Sequence, residues 1–82
     1  MSKFYTAAIS HWEAQRDEAI ATLELYFLKS VGIGEHSEML NEINKWTAKL
    51  AEAEENINAL TTYFEDDGYV KEKPKKKQVL NG

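Results

Sequence analysis

Residues 39–64 read MLNEINKWTAKLAEAEENINALTTYF, and their pattern decides the fold. Apolar side chains fall at Met39, Ile43, Trp46, Leu50, Ala53, Ile57, Leu60 and Phe64, in alternating steps of four and three. Residues so spaced share one face of an α-helix, and a repeat held over three heptads is the seam of a coiled coil. Upstream the same rhythm runs through Tyr5, Ile9, Trp12, Arg16, Ala19, Leu23, Tyr26 and Ser30. No Pro or Gly interrupts residues 3–31, helix-forming Ala, Leu, Glu and Gln are frequent, and Ser2 stands where an N-cap belongs. Two helices of matching length are therefore expected, helix 1 over about 3–31 and helix 2 over about 38–65.

Gly32 and Gly34 supply the backbone freedom to end the first helix, so the turn is placed at 32–37, with Lys29 beside the carbonyl pole it leaves. Ser37 is the expected N-cap of helix 2, helped by Glu35 and Glu38. Asp66, Asp67 and Gly68 end it. Pro74 sits within a lysine run, and residues 69–82 read as a disordered basic tail after a helical hairpin over 1–68. Short loops make sequential helices antiparallel neighbours. Setting Leu23 opposite Trp46 then pairs Tyr26 with Ile43, Ala19 with Leu50, Arg16 with Ala53, Trp12 with Ile57, Ile9 with Leu60 and Tyr5 with Phe64. The Arg16 stem is expected to pack on Ala53 while its guanidinium reaches Glu52 or Glu54, and Tyr63 and Tyr69 to pack at the open end.

The two flanks of that seam differ. One pairs Lys29 with Glu42, Thr22 with Lys49 and Gln15 with Asn56, an ordinary solvated edge. The other sets Phe27 near Leu40 and Ile20 near Thr47, with Leu28, Val31 and Ile33 toward the same end. Two helices have one seam and no third layer to bury that excess. The expected fold is all-α: an antiparallel helical hairpin, or two-helix coiled coil, whose dimer forms a four-helix bundle through Ile20, Phe27, Leu28, Val31, Ile33 and Leu40.

Composition narrows the function. The 82 residues carry no cysteine, which removes disulfides, thiolate chemistry and Cys-based zinc sites, and suits a reducing cytoplasm. No apolar run is long enough for a membrane span, and the first residues lack the apolar core of a secretory signal. A soluble cytoplasmic protein that does not engage membranes is expected. The net charge of −4 conceals a division: residues 1–65 hold eleven acids against five bases, residues 66–82 three acids against five lysines. Any phosphate contact therefore falls to Lys71, Lys73, Lys75, Lys76 and Lys77, and the alternative function is an accessory protein that touches nucleic acid through this tail alone.

No catalytic, cofactor or metal site is expected. His11 and His36 are the only histidines, and neither follows a Glu at i−3, the pattern of di-iron bundles. Glu52, Glu54 and Glu55 fan around a helix, and the Gly32-Ile33-Gly34 punctuation lacks the third glycine of a phosphate loop. The leading expectation is a non-enzymatic interaction module: an adaptor, assembly factor or small regulator of a protein complex that self-associates or binds a protein partner.

Overall fold

The computed structural model describes residues 2–29 and 36–72. Two helices, α1 (Lys3–Leu28) and α2 (His36–Tyr63), pack against each other as a hairpin. Among the described residues there is no strand, only an isolated antiparallel β-bridge between Phe64 and Val70.

Ser2 starts α1 as a cap. Its backbone is extended (φ −79°, ψ 126°), and its Oγ accepts a hydrogen bond from the Tyr5 amide at 3.2 Å. That bond satisfies one of the amides a helix start leaves open. At the other end the Lys29 amide donates to the Leu25 carbonyl at 3.0 Å. The Lys29 backbone (φ −109°, ψ 18°) has already left the helical basin, so α1 stops at Leu28 rather than near residue 31. The turn expected at 32–37 lies largely in residues 30–35, outside the described residues. α2 begins at His36, which puts the expected cap Ser37 inside its first turn.

The side chains fall on the seam as the heptads require. Every described seam residue is buried or half-buried, from Tyr5 through Tyr26 on α1 and from Met39 through Phe64 on α2. The register is antiparallel. The Tyr26 hydroxyl donates to Glu42 Oε1 at 3.3 Å near one end, Arg16 and Glu54 line one cleft midway, and Tyr5 and Phe64 line another at the open end. Full burial is confined to the narrowest part of the seam: Ala19 and Ala53 are 0% exposed and Leu23 7%. Two cylinders touch along a line, so a small side chain vanishes there while a large one keeps an edge in water.

Beyond α2 the chain hooks back. The Phe64 amide still bonds to Leu60, but Glu65 donates to the Tyr69 carbonyl at 2.7 Å and Lys71 to the Tyr63 carbonyl at 2.9 Å. Pairing with Val70 takes Phe64 out of the helix, and α2 ends at Tyr63 instead of near 65. The ordered fold thus continues past residue 68, while 73–82 fall outside the described residues. Gly68 makes the hook possible. Its φ of +90° disfavours any side chain, and a Cβ there would stand 3.1 Å from the Ser2 Cβ. Gly68→Ala should therefore cost about 1–2 kcal/mol in urea unfolding, the usual scale for a left-handed residue bearing a Cβ. Unchanged stability would mean the hook adds nothing to the fold.

Candidate interaction surface

The heptad that builds the seam also sets its flanks. Residues seven apart share a helix face, so Thr6, Glu13, Ile20 and Phe27 form one row on α1, opposed across the groove by Thr61, Glu54, Thr47 and Leu40 on α2. The row changes character along its length. Its open-end half is polar and acidic, with Glu13 and Asp66 lining one cleft and Arg16, Glu54 and Thr61 another. Its half nearer residues 30–35 is apolar and exposed, Ile20 at 46% and Leu40 at 57%, with Phe27 also exposed.

The opposite flank is furnished with polar partners. Glu42 takes the Tyr26 hydroxyl and the Lys45 ammonium, the latter at 3.4 Å. Lys45 and Lys49 also stand 5.7 and 5.4 Å from the Trp46 ring centroid, within the range of cation–π attraction. Gln15, Thr22 and Asn56 are half-buried along this edge. Glu42 thus takes Tyr26 and Lys45 on the edge expected to be solvated.

Of the six interface residues named from the sequence, Ile20, Phe27 and Leu40 are exposed and by helical spacing belong to the same flank of the seam. Leu28 is exposed but sits about 100° around α1 from Phe27, a helical step that carries it onto the outer face. Val31 and Ile33 lie outside the described residues. Sequence reasoning missed Leu25, exposed one turn before Leu28; its off-seam position was the signal available. It also missed the open end, where Phe4 is 91% exposed and Tyr63, Tyr69 and Val70 are exposed as well, so the two tyrosines do not pack there as expected. The hook bonds through backbone groups and through the side chains of Asp67 and Lys71, and leaves these apolar and aromatic side chains outward.

The charged groups are placed as follows. Arg16 Nε donates to its neighbour Asp17 at 3.1 Å, not to Glu52 or Glu54, an exposed pair worth at most about 1 kcal/mol. Among the tail lysines only Lys71 is described: its ammonium donates to the Thr61 carbonyl at 2.7 Å, where a cation suits a helix C-terminus. Lys73, Lys75, Lys76 and Lys77 lie outside the described residues. His11 meets Trp12 edge-to-face, with ring centroids 4.7 Å apart. Among the described residues no three His, Asp or Glu side chains gather into a group able to hold a metal ion, and no helix is long and apolar enough to cross a membrane.

Comparison with family models, curated proteins and solved structures gives no match to this chain.

Exposure separates surface from core by energy. Leu23→Ala removes buried methyl groups and should cost about 2–4 kcal/mol. Leu40→Ser should stay within about 0.5 kcal/mol, as surface substitutions do. Equal losses in urea titrations of the two variants would place Leu40 in the core and dissolve the surface described here.

Proposed function

We propose that this chain is a non-catalytic helical interaction module, an adaptor, assembly factor or small regulator of a protein complex, which self-associates through the flank of Ile20, Phe27 and Leu40. The observation that carries the reading is the coexistence of a thin core with an exposed apolar half-flank. Ala19, Leu23 and Ala53 are the buried residues of the described core, while Ile20 and Leu40 face water on one side of it. A chain this short buries a modest share of its surface alone, so covering that flank with a second hairpin is the direct route to a fuller core. The resulting assembly is a four-helix bundle of two chains, related by a two-fold axis that presents the same patch twice. The patch is small beside the interfaces of permanent dimers, so association is concentration-dependent. The cysteine-free sequence suits a reducing cytoplasm.

Light scattering over a concentration series tests the reading. The mass of the native sequence should rise toward that of two chains, whereas Ile20→Ser combined with Leu40→Ser should hold it at one chain with helical circular dichroism retained. A native mass of one chain throughout the series, or a double variant that associates as before, overturns it.

A further inference from the structure

We propose that the outer face of α1 is a second self-association surface: α1 of another copy packs on it antiparallel and carries the assembly beyond two chains. The inference rests on the association reading above, whose dimers this contact joins.

Two residues on from a seam position lies about 200° around the helix, close to its opposite face. On α2 that outer row holds Asn41, Lys45, Glu52, Glu55 and Thr62, all exposed and polar. On α1 it is mostly apolar. One file of it is Phe4, His11, Glu18 and Leu25, the other Ala7, Ala14, Ala21 and Leu28, and every one of these is exposed. Phe4 stands 91%, Leu25 55% and Leu28 74% exposed. The steps of three and four match those of the buried seam, so α1 carries a coiled-coil stripe on each of two opposite faces, and α2 packs on one of them. A helix apolar on both sides belongs between two neighbours.

The stripe is complementary to a second copy of itself. Set antiparallel about a two-fold axis, Phe4 meets Leu28 at both ends, Ala7 meets Leu25, His11 meets Ala21 and Ala14 meets Glu18. Between the ends each long side chain thus faces an alanine. Glu18 of the second copy lies one turn from the Ala21 that faces His11, within reach of an imidazole N–H. A parallel pair would instead set Glu18 against Glu18, where the carboxylates repel. Asp17 falls beside the two-fold axis, and Arg16 Nε already bonds it at 3.1 Å and offsets its charge. Alanines and two polar residues in each stripe bury less apolar area than large side chains would, so this contact is the weaker one and follows the flank at higher concentration.

Two variants of one exposed alanine test the pairing in the full chain. Ala14→Glu sets a second carboxylate against Glu18 of the other copy, and Ala14→Lys sets an ammonium there; both residues favour helix, so the single chain should keep its circular dichroism. In light scattering above the concentration that completes the two-chain step, the native mass should pass two chains. Ala14→Glu should raise the midpoint of that second step at least about five-fold, roughly one like-charge contact in each half of the two-fold pair, whereas Ala14→Lys should leave it unchanged or lower it. Equal effects of the two variants, or a native mass that stops at two chains, overturn this contact and leave the flank reading in place. Ile20→Ser with Leu40→Ser reaching two chains while Leu25→Ser with Leu28→Ser stays at one supports the α1 contact and removes the flank reading. The cysteine-free sequence allows a direct reading of direction. Mixed Ala7→Cys and Leu25→Cys chains, oxidised with copper phenanthroline, should cross-link to each other, whereas either variant alone should not, its two sites lying about 27 Å apart along the paired helices. Cross-linking of Ala7→Cys chains alone to the same extent overturns the antiparallel pairing.

Discussion

Two helices meet along a line, and that geometric limit governs this chain. A line of contact seals small side chains and leaves large ones with one edge in water. Ala19 and Ala53 disappear from solvent where the seam narrows, whereas Trp12 and Trp46, on the same seam, stay half-buried. Apolar area removed from water is the main favourable term in folding, so a hairpin that cannot close around its own tryptophans has reached the limit of what one seam supplies. What remains uncovered must be met at the flanks and at the ends.

The flanks meet it differently. On one, Glu42 gathers Tyr26 and Lys45 while the ammonium groups of Lys45 and Lys49 stand over the half-buried Trp46 ring. On the other flank Ile20 and Leu40 are exposed among the described residues, and carboxylates take over further along. The two edges of the hairpin thus differ in chemistry, one polar along its length and the other apolar at one end and acidic at the other.

The hairpin and its register were legible because they are written in side-chain spacing. A seam that repeats every seven residues can be aligned with its partner before any coordinate is known, and the Tyr26–Glu42 contact and the Tyr5–Phe64 cleft fall where that alignment puts them. The hook was not legible. Its bonds from Glu65 to Tyr69 and from Lys71 to Tyr63 run between backbone groups, which every residue carries, while Gly68, the Asp67 carboxylate that accepts the Tyr69 amide and the Lys71 ammonium carry no repeat that spacing could align. Arg16 was misassigned for another reason. Asp17 and Glu54 both lie near it, and choosing between near-equivalent acceptors depends on rotamers that spacing does not encode. Leu28 was grouped with Phe27 by proximity along the chain, although one helical step separates their faces.

The ends of the hairpin complete the picture. At one end residues 30–35 join the helices covalently, so the last turns of α1 and the first of α2 stay near each other. At the other nothing in the covalent chain ties Ser2 to Phe64, and helix termini fray because their outer amides and carbonyls lack partners. The hook satisfies groups at the end of α2 and packs beside the cap of α1. Lys71 takes the Thr61 carbonyl, Ser2 takes the Tyr5 amide, and Gly68 lies close enough to Ser2 that a methyl group between them would be crowded. The hook thus lies against the cap of α1, with Gly68 beside Ser2. The backbone bonds of the hook close on the end of α2 itself, and the side chains of Phe4, Tyr69 and Val70 are left facing solvent.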